Sequence, residues 1–307
     1  MKSKEFQYPT KEREHPHHLL DSTIWNEFKY RDDDIVINAY SKSGTTWVQQ
    51  IVAQLLWNGG EHINVSKMSP WFDCRFPSKN ERLEIVESQT HRRFIKSHLP
   101  VDTLVFSPKA KYIYVGRDGR DVLWSLYNHH RNFKKDVIQG IDSVPERTGP
   151  PLGEAPSSVL KYFQNWLMKD GYPWWPYWEH ILSWWKIKDL PNVMLLHFSN
   201  LKQDMPREIR RIAAFLEVAI DERKWDAILE HCSFNYMKAH AADSVPFEGN
   251  IFVGGATTFM HKGVNGRWKD VLTSEDIERY EKTASEELGV ECANWLSNGS
   301  QKALENT

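Results

Sequence analysis

The sequence predicts a single α/β domain in which a central parallel sheet is flanked by helices on both sides. Four short apolar runs, within "DDIVINAYS", "RRFIKSH", "KYIYVGRDG" and "NVMLLHFSN", alternate with stretches whose apolar residues recur at helical spacing. No repeat or linker divides the 307 residues, and a 40% hydrophobic composition is enough for one large core. A near-continuous run such as Ile35-Val36-Ile37 suits a strand buried on both faces, the habit of doubly wound parallel sheets.

Residues 1–32 are polar and read as an irregular N-terminal segment with a short helix near "DSTIWNEFKYR"; the domain is expected over 33–307. His15, His17 and His18 resemble a metal cluster, but Pro16 between them and their polar neighbours favour a solvated tail. After the first strand, Val48, Ile51, Val52, Leu55 and Leu56 mark a helix that stops near Asn58-Gly59-Gly60. The second strand ends at Pro100, and the third runs into a helix over "RDVLWSLYNHHRNF". Residues 133–157, with scattered Pro, Gly and charge, read as a long surface loop. Trp174, Tyr177, Trp178, Ile181 and Trp185 share one helical face, which is core packing before it is an acceptor platform or a membrane anchor. "NVMLLHFSN" is the fourth strand, "MPREIRRIAAFL" a helix with Pro206 in its first turn, and "DERKWDAILEHC" another helix. Residues 241–267 are Gly-rich and aperiodic, hence a loop, and a helix closes the chain from Thr273 to Leu288.

A formal net charge of −2 excludes a globally basic nucleic-acid binder, so any anion site must rest on locally clustered Lys and Arg. Cys74, Cys232 and Cys292 are odd in number and far apart, which suits reduced thiols in a cytoplasmic protein, not a disulfide framework or a zinc ribbon. No apolar stretch reaches signal-peptide or membrane-spanning length.

The turn Ser41-Lys42-Ser43-Gly44-Thr45-Thr46 joins the first strand to the first helix. A helix leaves its first backbone N–H groups without partners, and its dipole favours an anion there. Gly44 allows close backbone approach, Ser43, Thr45 and Thr46 add hydroxyls, and Lys42 adds a full charge. The order differs from a Walker loop, which needs an earlier Gly and a Ser/Thr directly after its Lys for Mg²⁺. The turn therefore suits a phosphate or sulfonate better than metal-assisted ATP hydrolysis. Farther on, Lys96 and His98 lie two apart in an extended strand, hence on one face. A histidine kept neutral by a neighbouring cation is fit to take a proton from a hydroxyl, although a solvent-facing strand end is the plainer reading of that pair alone.

Taken together, these segments resemble the cytosolic-type sulfotransferases, which use 3′-phosphoadenosine 5′-phosphosulfate (PAPS). Their P-K-S-G-T-T-W loop appears as "YSKSGTTW", their K-T-H-L-P as "KSHLP", their Y-V-x-R-x-x-x-D-x-x-x-S as "YVGRDGRDVLWS", and their F-x-R-K-G-x-x-G-D-W-K as "FMHKGVNGRWK". "QTHRRFIKSH" and "SPWFD" look closer to bacterial glycolipid-type members than to vertebrate phenol-type ones. The resemblance implies a P-loop-like sulfotransferase fold, PAPS as donor, 3′-phosphoadenosine 5′-phosphate (PAP) as product and no required metal. It implies that Lys42 with the turn Ser43, Gly44, Thr45 and Thr46 holds the 5′-phosphosulfate, that Lys96 contacts the sulfonate, and that His98 is the general base. Arg117 and Ser125 would hold the 3′-phosphate, with Phe259, Met260, His261, Lys262 and Gly263 alongside. Trp47 and Phe234 would sandwich the adenine, with Cys232 lining the purine.

Three departures accompany the resemblance. His261 replaces the usual arginine, which leads one to expect donor affinity to weaken as pH rises through its titration. Ser199 stands where relatives carry Tyr-Glu-Asp after the strand, and Arg267 stands where an aspartate is usual. The acceptor, a small molecule or a glycolipid, is expected among Phe72, Tyr127, Tyr162, Phe163 and the loop 241–255. "KDVLTSEDIE", Lys269 to Glu278, loosely matches a family dimerisation pattern, so a homodimer is one expectation. Two other readings stay open on the residues alone: an ATP-dependent P-loop phosphotransferase, and a non-catalytic binder of lipids or aromatics.

Overall fold

The computed structural model describes residues 6–15, 17–145 and 149–299. Four strands, β1 (Ile35–Ala39), β2 (Phe94–Ser97), β3 (Lys111–Gly116) and β4 (Val193–His197), form one sheet in the order β2-β1-β3-β4. Every pairing is parallel, with Ile35 beside Phe94 on one side and Lys111 on the other, and Gly116 beside His197. The expected central parallel sheet is present.

Alternation along the strands divides the core. Ile35, Ile37, Ile113 and Val115 face one apolar layer with α1 (Thr45–Leu56) and the helix Met205–Leu216. Val36, Tyr112 and Tyr114 face the other, where the helices Val159–Met168 and Tyr177–Trp185 and α2 (Gly119–Arg131) pack. Adjacent residues of a strand point to opposite faces, so a continuous apolar run feeds both layers at once. The tryptophan stripe is core: Trp178 and Trp185 are 4% and 8% exposed.

The structure corrects several expectations. His15, His17 and His18 are buried rather than solvated. Leu19, Leu20, Ile24, Trp25 and Phe28, just downstream, join the main core and draw the histidines in with them. The His15 amide donates to Ser22 Oγ at 2.7 Å, the His17 ring meets Trp175 edge-on at 5.4 Å, and Arg13 pairs with Asp102 at 2.6 Å. Burial pushes the His15 pKa down to about 4, so its ring is neutral in the fold. Pro16 lies outside the described residues. The expected short helix is a 3₁₀ turn over Ser22–Asn26, capped by Asp21.

The expected loop 133–157 contains a helix, Lys135–Asp142, that buries Ile138 and Ile141. Asp142 then anchors the returning chain by accepting the amides of Leu152 and Gly153. The Gly-rich stretch after 241 is irregular but broken by single helical turns, among them Ala241–Ser244 and Ala256–Phe259. The closing helix Ser274–Leu288 begins with a Thr273/Asp276 capping box, and a further helix, Val290–Asn298, follows Gly289. That last helix has a use: the Trp295 ring lies where a side chain at Gly116 would stand. Gly116 thus lets β3 end tightly against Trp295 just before Arg117.

Candidate active site

The carboxyl ends of the strands share one edge of the sheet. The chain steps from β1 to β2 on one side and then crosses to β3 on the other, and a crevice opens outside the strand ends at such a switch. The turn after β1, the end of β2, the residues after β3 and the distal segment 259–264 meet there around a cavity of about 680 Å³.

The first turn is built by two left-handed residues, Lys42 at φ 69° and Gly44 at φ 115°. A Cβ at Gly44 would lie 2.8 Å from Phe198 Cδ2, so conformation and space both require glycine there. Thr45, Thr46 and Trp47 line the cavity, with Trp47 held by an Nε1 donation of 2.8 Å to the Cys232 carbonyl. Ser43 Oγ and Thr45 Oγ1 are buried without a hydrogen-bond partner, a costly state that an acceptor-rich ligand would relieve at Thr45, which lines the cavity. Lys42 Nζ sits 3.5 Å from the centroid of the Phe259 ring and 3.5 Å from His129 Nδ1. Burial, with Lys96 and Arg117 nearby, pushes its pKa well down, so an anion at this point would be strongly favoured.

At the end of β2, Lys96 lies over the Trp71 ring at 4.5 Å, and burial lowers its pKa to about 8. Both Lys96 and His98 line the cavity. Asp73 fixes the strand end by accepting from the Ser97 hydroxyl and from the His98 amide at 3.1 Å. His98 Nδ1 donates to the Ala39 carbonyl, which leaves Nε2 as the acceptor nitrogen. Burial and then Lys96 push the His98 pKa well down. The result is a neutral imidazole that can take a proton, beside a cation that can meet negative charge.

Arg117 ties the two ends of the site together. Nη1 donates to the Lys42 carbonyl at 3.0 Å, Nη2 donates to Asn265 Oδ1 at 2.8 Å, and the guanidinium stacks on Phe198 at 4.2 Å. Ser125, on α2, lines the same wall, as do Phe259, Met260, His261, Lys262 and Gly263. A Cβ at Gly263 would lie 2.8 Å from Phe234, so the backbone of this segment lies flush on that ring.

Residues 32–290 match the sulfotransferase domain family. The chain belongs to that family. A glycolipid sulfotransferase of Mycobacterium bovis (strain BCG / Pasteur 1173P2) is 29% identical over 287 residues, covering 85% of this chain and 87% of the relative. Sulfotransferase 1 family member D1 of Rattus norvegicus is 30% identical over 264 residues, covering 83% of each. The mycobacterial match thus extends slightly farther along this sulfotransferase. Mouse sulfotransferase SULT7A1 complexed with PAP shares the fold at a TM-score of 0.71 and 21% identity, over 90% of this chain and 94% of that one.

Several residues picked from the sequence of this sulfotransferase fall elsewhere. Phe72 packs edge-on against Trp25 at 4.9 Å beneath the N-terminal segment. Tyr127 donates to the Ser157 carbonyl at 2.7 Å, Tyr162 accepts from Trp174 Nε1 at 2.7 Å, and Phe163 is fully buried. All four serve the core and none lines the cavity. Cys232 is likewise core, reaching the site only through its carbonyl on Trp47. Ser199 stands behind the wall, where its hydroxyl accepts from Asn265 Nδ2 at 3.1 Å. Ser43 also sits behind the lining of the turn.

The apolar end of the cavity is lined by Phe247, Ile251 and Phe252 from the expected loop 241–255, together with Trp71, Phe133 and Trp174. His129, Trp124 and Arg267 also face the cavity without having been picked from the sequence as site residues. Helical spacing carried a signal for His129: Asp121, Ser125 and His129 recur every four residues on one face of α2. Among the described residues, no three His, Cys, Asp or Glu side chains are grouped to hold a metal ion. No helix among the described residues is long and apolar enough to cross a membrane.

Proposed function

We propose that this enzyme transfers a sulfonate group from PAPS to the hydroxyl of a bulky apolar or amphiphilic acceptor, with His98 as general base. One arrangement carries the reading: the cationic turn, with Lys42 and the unpartnered Thr45 hydroxyl, shares one cavity with His98, whose Nδ1 is committed to the Ala39 carbonyl and whose Nε2 is left to accept. The residues fit a nucleotide bearing phosphate at both ends. Lys42 and the turn would hold the 5′ end, Arg117, Ser125 and Lys262 the 3′ end, and Trp47 with Phe234 the base.

The donor supplies a sulfur bonded to a phosphate oxygen that leaves readily. The acceptor oxygen forms the new S–O bond, the bond from sulfur to the phosphate oxygen breaks, and PAP departs. His98 Nε2 takes the acceptor's proton. Lys96 and Lys42 meet the charge that gathers on the sulfonate and bridging oxygens, a role that positioned cations fill in a water-poor site. The aromatic end around Trp71, Phe133 and Phe252 suits an apolar acceptor body, and a glycolipid is within that class. A cytoplasmic location, and a homodimer through Lys269–Glu278, are further parts of the proposal; the dimer is read by light scattering of the purified chain.

The test is a thermal-shift titration with PAP beside ADP and ATP–Mg²⁺, repeated with His98→Ala. A ligand that binds only the folded state raises Tm by mass action. The expected result is a shift with PAP that His98→Ala retains while losing on the order of 10²–10⁴ in turnover. A shift with ATP–Mg²⁺ alone would return the turn to a triphosphate and overturn the reading.

A further inference from the structure

His261 and Arg267, two departures from the family pattern, are one contact. Arg267 Nη1 donates to His261 Nδ1 at 3.0 Å, and the guanidinium carbon lies 4.8 Å over the ring of Trp124. Both residues line the cavity that Arg117, Ser125 and Lys262 also line, and their segment is tied to that side of it by the donation of Arg117 Nη2 to Asn265 Oδ1 at 2.8 Å. The backbone explains how Arg267 reaches that wall. Gly266 is left-handed at φ 83°, and its amide donates to Asp121 Oδ1 at 2.7 Å. This pinned reversal sits directly before the 3₁₀ turn Arg267–Asp270.

We propose that Arg267 is a donor-binding residue and supplies the fixed guanidinium fork for the 3′-phosphate, with His261 as the residue that aims it. The inference rests on PAPS being the donor. A guanidinium carries five N–H donors in a rigid plane, and the His261 contact uses only one. The contact over Trp124 restrains the guanidinium, and its remaining N–H groups are left for paired hydrogen bonds to an oxyanion. His261 accepts through Nδ1, so its imidazole is neutral with the proton on Nε2, which can serve as one further donor. The charge absent at position 261 is thus present at 267, on the same wall. Lys262, Lys238 and Lys42, the other cations near His261, add to the positive field without a fork.

The experiment compares dissociation constants for PAP and for 5′-AMP, which lacks the 3′-phosphate, by isothermal titration calorimetry. Wild type, Arg267→Ala, Arg267→Gln and His261→Ala are measured at one pH and ionic strength. The expected result is that both Arg267 variants lose at least about tenfold of the preference for PAP over 5′-AMP, with 5′-AMP affinity held within about twofold. His261→Ala is expected to lose less. Unchanged 5′-AMP binding shows that the variants are folded; should Arg267→Ala fail that control, Arg267→Gln decides. An undiminished PAP preference in a folded Arg267 variant overturns the proposal. A wild-type protein that binds PAP no better than 5′-AMP overturns the donor reading instead.

Discussion

Lys42 Nζ lies 3.5 Å from His129 Nδ1, and the same ammonium sits on the face of Phe259 at 3.5 Å. His129 can accept from Lys42 only while its ring is neutral. Burial, followed by Lys42 and Lys96, pushes its pKa well down and secures that state. The turn's cation is therefore aimed by a histidine in the last turn of α2.

Replacing His129 by phenylalanine keeps the ring volume and removes the acceptor. One hydrogen bond to a charged group is worth about 1.5–3 kcal/mol, so kcat/KM is expected to fall by roughly tenfold to a hundredfold. Steady-state kinetics with the donor varied checks this. A change within about twofold would remove His129 from the positioning of Lys42.

The pH dependence of kcat/KM should be set on its alkaline side by Lys96. Its pKa of about 8 means that it loses charge as pH rises through that value, while His98, held well below its usual 6.5, stays a competent base throughout. The profile is expected to be flat from pH 6.5 to 7.5 and to decline above 8. Lys96→Arg should move that decline to higher pH. A plateau persisting past Lys96's titration in the wild type would contradict it.

Donor affinity should show little dependence on His261 titration. The sequence leads one to expect weakening as pH rises, because an imidazolium would be replacing an arginine. Burial, then Arg267, Lys262 and other lysines lower the His261 pKa, and a neutral ring already accepts from Arg267. The Kd of PAP measured between about pH 6.5 and 8 is therefore expected to change by less than about threefold. A tenfold rise across that range that disappears in His261→Asn would restore the titrating histidine.

The fold should be acid-labile. His15 and His197 are lowered to about 4 and His180 to about 3, whereas the unfolded chain binds these protons near 6.5. Below pH 6.5 the unfolded state takes up more protons, so stability is complete above that value and is lost as pH falls towards 4 and 3. Each such histidine contributes a slope of about 1.4 kcal/mol per pH unit at most. Asp73 and Asp121, raised to about 6, act in the opposite sense but are fewer. Tm is expected to be level above pH 7 and to fall steeply below 6, and His15→Asn should soften the fall. A level Tm down to pH 5 would contradict the neutral buried rings.

The strands were legible because parallel pairing buries both faces, so Ile35-Val36-Ile37 could be little else. The turn at Lys42 and the pair Lys96/His98 were legible because their chemistry depends on local spacing. The acceptor end was legible only in the loop 241–255, which supplies Phe247, Ile251 and Phe252. Tyr127, Tyr162 and Phe163 look like pocket aromatics, yet Tyr162 is committed to Trp174 and Tyr127 to a carbonyl. Which aromatic faces a cavity depends on where Lys135–Asp142 docks, and scattered Gly and Pro hid that helix. The buried histidines failed for a related reason: an imidazole reads as polar in sequence but packs as a neutral ring beside Trp175. Arg267 was visible as an oddity, and only the contact with His261 gives it meaning.

Phe259 has a consequence for changing what this enzyme acts upon. Its ring carries Lys42 on one side and meets Phe252, at the apolar end, at 5.8 Å, with His129 touching both phenylalanines. Redesign of the apolar end at Phe252 would shift Phe259 and with it the cation of the turn. A library randomised at Phe252 would yield variants whose altered preference travels with altered speed, and so would one at Trp71, whose ring carries Lys96 and meets His98, whereas Phe247 and Ile251 offer positions for trading one property without the other.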